Sequence, residues 1–246
     1  MDRRPEPPPY RGIFFDCDST LASIEGIEAL AADAPEAVRA RIAELTAAAM
    51  EGRMPLEDAY GARLEAIRPS RADVDRIGQL YVQHALPHGR ELMAALHALD
   101  KAVFVVSGGL LAPVQHLAEH LGIPRKRAMA VDVHFAEDGS YAGFESGSPL
   151  ARAGGKLEVL SALRPQHGPL ALIGDGATDL EAAPACARFI AFAGVEARQN
   201  VISAADATAS QPDLAGLLTL LCSPAEIARL AQDPQHAALL AASERP

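Results

Sequence analysis

A short apolar run that ends in two acidic residues constrains this chain more than any other feature. Ile13, Phe14 and Phe15 run directly into Asp16 and Asp18. Such a run is typical of a strand buried on both faces of a sheet, and open α/β sheets bind ligands beyond the carboxyl ends of their strands. Strand alternation would turn both aspartates to the same side, where one could attack a substrate while the other carries a proton. The alternative is a strand followed by an ordinary Asp/Ser turn.

Composition narrows the class of protein. The chain has 246 residues, 49% of them apolar, which is enough for one large domain or a domain with an insert. The net charge of −10 argues against binding to nucleic acid or to an anionic membrane surface. The three scattered cysteines show no zinc spacing and favour a reducing compartment. We find neither an apolar leader at residues 1–9 nor a run of about 18 apolar residues, so a cytoplasmic location is expected.

The stretch between the first strand and the next one has no strand signal. Apolar residues recur there at helical spacing, and prolines mark three of the helix starts. The predicted helices are 25–33, 35–51, 55–67 and 70–83. We therefore expect a helical cap, residues 20–85, inserted into an α/β core made of residues 1–19 and 86–246. Residues 223–246 are expected to be a C-terminal extension of that core, with one helix and a frayed end.

After the insert, strand and helix patterns alternate, which predicts a mostly parallel sheet with right-handed crossovers. Residues 129–145 read as a hairpin, because Val131, Val133 and Phe135 alternate before an Asp138-Gly139 turn. The other predicted strands are 102–106, 169–173, 188–192 and 205–208. The predicted helices are 89–99, 110–121, 156–163, 179–184, 196–202 and 212–221.

Two glycine-containing stretches in this part are candidate anion sites. Ser107, Gly108 and Gly109 join a strand to a helix, where a hydroxyl and backbone N–H groups can converge on a phosphate. Lys156 follows two glycines at another helix start. Its charge opposes the helix dipole there, and a bound phosphate would supply the missing negative charge. A plain turn and a solvated lysine are the alternatives.

A third stretch, Gly174-Asp175-Gly176-Ala177-Thr178-Asp179, follows the apolar strand at 169–173. Its glycines permit a close approach between backbone and ligand. Asp175 would lie beside Asp16 as a ligand of Mg²⁺, which prefers oxygen donors, and Asp179 could hold Lys156 or the water shell of the metal. An ordinary Gly/Asp turn is the alternative.

Together these stretches describe phosphoryl transfer to an aspartate. Asp16 would attack phosphorus while Mg²⁺ and Lys156 screen the phosphate charge. A further pattern, His116 to His120, has the spacing of an inverted zinc-peptidase motif. Apolar residues form one face of that helix, and both histidines lie largely off this face, so no zinc site is expected there.

The motifs Asp16-x-Asp18-x-Thr20, Ser107-Gly108-Gly109, Lys156 and Gly174-Asp175-Gly176-x-x-Asp179 resemble those of the haloacid dehalogenase superfamily of phosphatases. Within it, the chain is similar to the phosphoserine phosphatase family over roughly residues 10 to 220. Further matching segments are Glu25-Gly26-Ile27, Ala49-Met50, Arg63-Leu64, Ile67-x-Pro69-Ser70 and Tyr141-Ala142-Gly143-Phe144. Cys17 departs from the family pattern, which usually has an apolar residue at that position.

The resemblance implies a haloacid dehalogenase-like, Rossmann-type α/β core with a mostly parallel sheet and a helical cap inserted after the first strand. It implies hydrolysis of O-phospho-L-serine to L-serine and phosphate through an aspartyl-phosphate, the last step of serine biosynthesis. Asp16 would be the nucleophile, and Asp18 would protonate the leaving oxygen and then activate water. Asp16, the backbone carbonyl of Asp18, and Asp175 would bind Mg²⁺.

The resemblance also implies the roles of the remaining site residues. Lys156, Ser107 and Gly108 would grip the phosphate, with Thr178 near the substrate and Asp179 in support. In the cap, Glu25 would face the substrate ammonium, Arg63 would bind its carboxylate, and Met50 would wall the pocket. An amino acid phosphate needs such an anion and guanidinium set apart from the phosphate site. Without the resemblance, Glu25 and Arg63 would read as ordinary helix-surface charges.

Two other functions remain open at this point. The same chemistry could serve another small phosphorylated metabolite, or transfer phosphate to an alcohol such as homoserine. A signalling module that accepts phosphate at Asp16 is a different class, which has no need of Asp18 as an acid or of a large cap. The partner expected is a small molecule, and the chain is expected to be a monomer or a homodimer.

Overall fold

The structure is a computed structural model that describes residues 8–50 and 53–244. The side chain of Met50, which was expected to wall the pocket, lies outside this description. The strands are β1 (Gly12–Phe15), β2 (Ala102–Leu110), β3 (Ala128–Val131), β4 (Val133–Phe135), β5 (Tyr141–Phe144), β6 (Leu170–Gly174), β7 (Arg188–Phe192) and β8 (Ala207–Ala209). In this part of the chain, six of them form a parallel sheet in the order β3-β2-β1-β6-β7-β8, and β4 pairs with β5. The predicted mostly parallel α/β sheet is confirmed.

Strand β1 lies at the centre of the sheet. Its residues pair in register with β2 on one side and with β6 on the other. Ile13, Phe14 and Phe15 have no exposed surface, as expected of a strand covered on both faces. From β1 the chain continues to β2 and β3 on one side, and it later returns to β6 on the other side. Such a switch point opens a crevice at the carboxyl ends of the strands.

Helices cover the sheet and fill the stretch between β1 and β2. They are α1 (Gly26–Ala31), α2 (Glu36–Met50), α3 (Leu56–Ile67), α4 (Arg71–Gln83), α5 (Gly89–Ala98), α6 (Leu111–His120), α7 (Gly155–His167), α8 (Ala177–Ala182), α9 (Gln199–Ala204), α10 (Leu217–Leu221), α11 (Pro224–Leu230) and α12 (Ala237–Ser243). Helices α1 to α4 lie where the helical insert was predicted. None of the helices in the described ranges is long and apolar enough to cross a membrane.

Helix α4 returns the chain from the insert to the sheet. The Ser70 hydroxyl oxygen accepts a hydrogen bond from the N–H of Asp73, and the Asp73 carboxylate accepts one from the N–H of Ser70, which forms a capping box at the start of α4. Val74, Ile77 and Tyr81 recur at three- and four-residue spacing and are buried. This stripe packs α4 against α6, and so anchors the end of the insert to the core.

Two predicted elements were wrong in detail. Ser107 to Gly109 do not form a turn, because β2 runs on to Leu110 and α6 begins directly afterwards. The extension is held by pairing with β3, where Leu110 lies opposite Val131 after a register shift. Val131 therefore belongs to the main sheet, and the predicted hairpin is confined to β4 and β5.

The C-terminal extension forms two short helices, α11 and α12, where one helix and a frayed end were expected. Leu230 and Leu239 from these helices are buried in the core. The buried ammonium of Lys101 contacts Glu226 on α11 at 2.6 Å and donates to the carbonyl of Tyr10 at 2.9 Å. The extension is thus packed against the core by apolar side chains and tied to Lys101 by a part-buried ion pair.

Candidate active site

The carboxyl ends of β1, β2 and β6 open into a cavity of about 280 Å³. From the sheet side it is lined by the predicted residues Asp16, Asp18, Ser107, Gly108, Lys156, Asp175 and Thr178. Glu25 and Arg63 line it from the helical insert. The structure therefore brings together residues from segments that are far apart in the sequence, as the motif analysis predicted.

Lys156 forms ion pairs with two aspartates of the site, Asp16 and Asp179. Its Nζ lies 2.7 Å from Asp16 Oδ2 and 2.7 Å from Asp179 Oδ1, and all three side chains are buried. Burial acts to lower the pKa of Lys156, but the carboxylates of Asp16 and Asp179 outweigh it and the pKa is raised. Lys156 therefore stays charged and can balance negative charge at this edge of the sheet.

Asp179 lies behind the cavity and supports Lys156. Its Oδ2 accepts the N–H of Gly176 at 3.0 Å, while its Oδ1 accepts from Lys156. A Cβ at Gly174 would lie 2.2 Å from the carboxyl carbon of Asp179. The glycine at that position is therefore required for the carboxylate to reach Lys156.

Among the residues that the structure describes, one group of three acidic side chains could hold a metal ion. Carboxylate oxygens of Asp16, Asp175 and Asp179 lie within 4.8 Å of one another. Thr20 Oγ1 donates to Asp175 at 3.1 Å, which orients that carboxylate. An all-oxygen set beside a phosphate site suits a hard divalent cation such as Mg²⁺. Asp16 and Asp175 of the expected metal-binding set thus lie together, and the group fits a hard divalent cation.

Asp18 has an environment different from that of Asp16. Its Oδ1 accepts the N–H of Gly26 at 2.9 Å and the hydroxyl of Tyr81 at 2.5 Å. Desolvation by burial, together with the negative charge of Glu25, raises the pKa of Asp18 to about 7, although the two hydrogen bonds oppose the shift. A carboxyl with such a pKa can hold a proton near neutral pH and return it.

The second strand end offers donors for a phosphate. Ser107 is buried, and its Oγ accepts the N–H of Gly109 at 3.0 Å. The hydroxyl hydrogen of Ser107 remains available for an oxygen in the cavity. Gly108 and Thr178 line the cavity nearby. This arrangement resembles the predicted anion site, although Ser107 lies in an extended strand and not in a turn.

The insert contributes one acidic side chain, Glu25, and one basic side chain, Arg63. Ser19 donates to Glu25 Oε1 at 2.7 Å, and burial raises the pKa of Glu25 against that hydrogen bond. Arg63 is 13% exposed, and its nearest polar contacts are Thr46 Oγ1 at 3.5 Å and Glu28 Oε1 at 3.9 Å. Within the described chain, its buried Nε has no hydrogen-bond partner. The guanidinium thus retains capacity for a further acceptor.

Sequence reasoning missed two residues of this site. Arg198 contacts Asp175 through its guanidinium and lies 3.8 Å from Glu25. It occupies the N-cap position of α9, after the end of β7, so its place after a strand of the same parallel sheet was the signal available. Tyr81 was hidden in the buried stripe of α4, whose spacing reads as core packing.

The comparisons with known proteins agree with this geometry. Residues 10–186 match the family model described as haloacid dehalogenase-like hydrolase. The phosphoserine phosphatases of Rattus norvegicus and Homo sapiens are 40% and 39% identical to the chain over 191 residues, which cover 77% of this chain and 84% of each relative.

Solved structures give the same result. A substrate-bound phosphoserine phosphatase superposes with a TM-score of 0.71 at 25% identity, covering 88% of this chain and 100% of that one. A phosphoserine phosphatase carrying an analogue of the phospho-aspartyl intermediate has a TM-score of 0.70 at 26% identity, over 87% and 99% of the two chains. This chain therefore belongs to the haloacid dehalogenase-like hydrolases, and within them to the phosphoserine phosphatase family.

Proposed function

We propose that this enzyme hydrolyses O-phospho-L-serine to L-serine and phosphate through a phosphoryl group carried on Asp16. The observation that carries the substrate is the pairing of Arg63 with Glu25 in one small cavity. Arg63 offers a guanidinium whose buried Nε has no hydrogen-bond partner in the described chain, and Glu25 offers an anion. These groups match the carboxylate and the ammonium of an amino acid.

The size of the cavity supports a small substrate. Its volume of about 280 Å³ lies at the lower limit of the roughly 300–1,000 Å³ typical of pockets for drug-sized ligands. A phosphorylated amino acid suits such a space better than a nucleotide or a phosphopeptide. The names of the similar proteins support the same substrate class, because those relatives are phosphoserine phosphatases.

In the first step, a carboxylate oxygen of Asp16 attacks phosphorus. The bond from phosphorus to the seryl oxygen breaks, and that oxygen takes the proton of Asp18. Lys156, Ser107 and the backbone near Gly108 hold the phosphate oxygens. Lys156 Nζ lies 2.7 Å from Asp16, close enough to contact both the attacking carboxylate and a phosphate oxygen.

In the second step, Asp18 accepts a proton from a water molecule as that water attacks the phosphoryl group on Asp16. The bond between phosphorus and Asp16 breaks, which releases phosphate and restores both carboxyl groups. The similar structure with an analogue of the phospho-aspartyl intermediate supports this route. Asp18 thus acts first as an acid and then as a base, which its raised pKa allows.

The divalent ion of this site is proposed to be Mg²⁺, held by Asp16, the backbone carbonyl of Asp18, and Asp175. When bound, it would neutralise phosphate charge and so reduce repulsion between the phosphate and Asp16. Asp179 would support the site through Lys156. Arg198 adds a cation beside Asp175, and it would move or share that carboxylate when a metal is present.

Residues 20–85 are proposed to act as a cap over the core formed by residues 1–19 and 86–246. The insert supplies Glu25 and Arg63 to a cavity whose chemistry lies on the sheet, so a cap that opens and closes would admit substrate and then exclude water. A cap in the same position in free and ligand-bound crystals would contradict this motion.

The test is phosphate release from a panel of phosphoserine, phosphothreonine, phosphoethanolamine and a sugar phosphate, with Mg²⁺ and with EDTA. Phosphoserine should give the highest kcat/KM, and EDTA should abolish its turnover. Another substrate ranking well above phosphoserine would overturn the proposed specificity. Phosphate found on an added alcohol such as homoserine would indicate a transferase, and a long-lived phosphorylated Asp16 without turnover would indicate a signalling module.

A further inference from the structure

Tyr81 makes a contact with the active site that no sequence motif indicated. It lies on α4, has no exposed surface, and is 63 residues from Asp18 in the sequence. Its hydroxyl donates to Asp18 Oδ1 at 2.5 Å. The N–H of Gly26, at the start of α1, donates to the same oxygen at 2.9 Å. Two elements of the helical insert therefore hold one oxygen of the proposed acid.

Close packing fixes this arrangement from both sides. A Cβ at Gly26 would lie 2.2 Å from the Tyr81 hydroxyl oxygen. A Cβ at Gly109 would lie 3.1 Å from Asp18 Oδ2 and 3.5 Å from the Tyr81 hydroxyl. The Asp18 carboxyl and the phenol therefore fill a space that two glycines leave open, and the contact is specific in shape as well as in hydrogen bonding.

We propose that Tyr81 is a positioning residue that holds Asp18 in the single orientation needed for both proton transfers. This inference rests on the proposed function, in which Asp18 is the acid and then the base. With Tyr81 and Gly26 both donating to Oδ1, Oδ2 is the oxygen left for the substrate and, afterwards, for water. Tyr81 keeps its own hydrogen in both steps and touches neither phosphate nor leaving group.

The orientation matters because proton transfer depends steeply on geometry. A misplacement of about 1 Å in a reacting group can cost about 100-fold in rate. Without the Tyr81 hydroxyl, Asp18 Oδ1 keeps only the Gly26 N–H as a donor, so the side chain can populate further rotamers. The loss should therefore fall on the chemical steps and not on substrate binding, which uses Arg63 and Glu25.

The test is the variant Tyr81→Phe, which keeps the ring and its packing on α4 and removes only the hydroxyl. Measured on the full chain with Mg²⁺ and phosphoserine, kcat should fall about 10- to 100-fold, while KM stays within about twofold. Tyr141→Phe is the matched control, because Tyr141 is also a buried tyrosine but, unlike Tyr81, its hydroxyl does not donate to Asp18. Its kcat should stay within about twofold of wild type.

A crystal structure of Tyr81→Phe shows the rotamer of Asp18, which would not change if Tyr81 had only a structural role. The Asp18 side chain should occupy more than one rotamer in the variant and one rotamer in the wild type. Unchanged kcat, or a reduced kcat with Asp18 still in its single wild-type rotamer, would overturn the inference. A loss shared equally by Tyr141→Phe would also overturn it, since the effect would then come from general loosening.

Failure of the proposed function would look different. A wild-type chain that hydrolyses another phosphate ester but not phosphoserine would remove the proposed substrate, and the Tyr81 comparison would then be decided with that ester. A wild-type chain without any phosphatase activity would overturn both proposals. An active wild-type enzyme and a Tyr81→Phe variant with the same kcat would overturn the role of Tyr81 but not the proposed function.

Discussion

Replacing Asp16 by asparagine separates catalysis from folding at the centre of this site. The amide is close in size to the carboxylate and can still accept the N–H of Cys17, which lies 2.7 Å from Asp16 Oδ1. An amide is a poor nucleophile, so the phosphoenzyme should not form. We expect turnover of phosphoserine to fall at least about 1,000-fold.

The structure also predicts how the fold responds. With an effective dielectric constant of about 20, the Asp16 carboxylate and Lys156, 2.7 Å apart, attract by about 6 kcal/mol. Repulsion from Asp175 and Asp179, each within 4.8 Å, is about 3.5 kcal/mol or more for each pair. The terms nearly cancel, so the free energy of unfolding of metal-free Asp16→Asn should stay within about 2 kcal/mol of wild type.

The assay combines phosphate release with urea unfolding of the metal-free chain, and Asp138→Asn, in an exposed turn, is the control. Retention of more than about one part in a hundred of wild-type turnover by Asp16→Asn would refute its role as nucleophile. An unfolded Asp16→Asn variant would refute this charge balance, because the lost attraction to Lys156 would then outweigh the relieved repulsion from Asp175 and Asp179.

Three further predictions follow from other contacts. Arg63→Met should raise KM for phosphoserine about 10- to 100-fold and leave phosphoethanolamine, which has no carboxylate, within about twofold; equal losses in initial-rate assays would contradict this. Glu226→Ala leaves the Lys101 ammonium buried without its carboxylate and should cost about 3 kcal/mol in urea unfolding. Burial acts to raise the pKa of Glu226, but the contact with Lys101 outweighs it and holds this pKa below its usual value. The stabilisation from the ion pair is therefore present above about pH 4.3 and is lost as the pH falls below that. Equal free energies of unfolding for variant and wild type at pH 7 would exclude this contribution. Gly155→Ala would bring a Cβ to 1.6 Å from the Pro149 carbonyl oxygen and should cost about 3 kcal/mol or more, whereas Gly147→Ala meets nothing within 4 Å and should be neutral; similar melting temperatures for the two variants would show that the backbone yields.

The catalytic motifs could be predicted because each is local. A buried apolar run followed by a polar cluster signals a strand end, and parallel strands bring their carboxyl ends to one edge. Asp16, Ser107 and Asp175 meet for that reason. The family resemblance was needed for Glu25 and Arg63, because a charged residue on a helix in the insert has no local signal that distinguishes binding from solvation.

The errors have physical causes that short patterns do not encode. Two glycines after Ser107 indicated a turn, but β2 continues through them and pairs with β3 again at Leu110, after a register shift. Tyr81 looked like core because its hydroxyl finds Asp18 only after α4 has packed. Lys101 has no motif around it in the sequence, and its buried ammonium pairs with Glu226 only because the C-terminal extension packs against it.

The most direct measurement is to quench the wild-type enzyme during turnover of phosphoserine with Mg²⁺ and to map the acid-trapped phosphoryl group by peptide mass spectrometry. The phosphoryl group should be found on the peptide that contains residues 11–21, at Asp16, and it should be absent from Asp16→Asn treated in the same way. A phosphoryl group on any other residue, or turnover without a trapped phosphoenzyme in rapid-quench experiments, would contradict the assignment of Asp16 as the nucleophile.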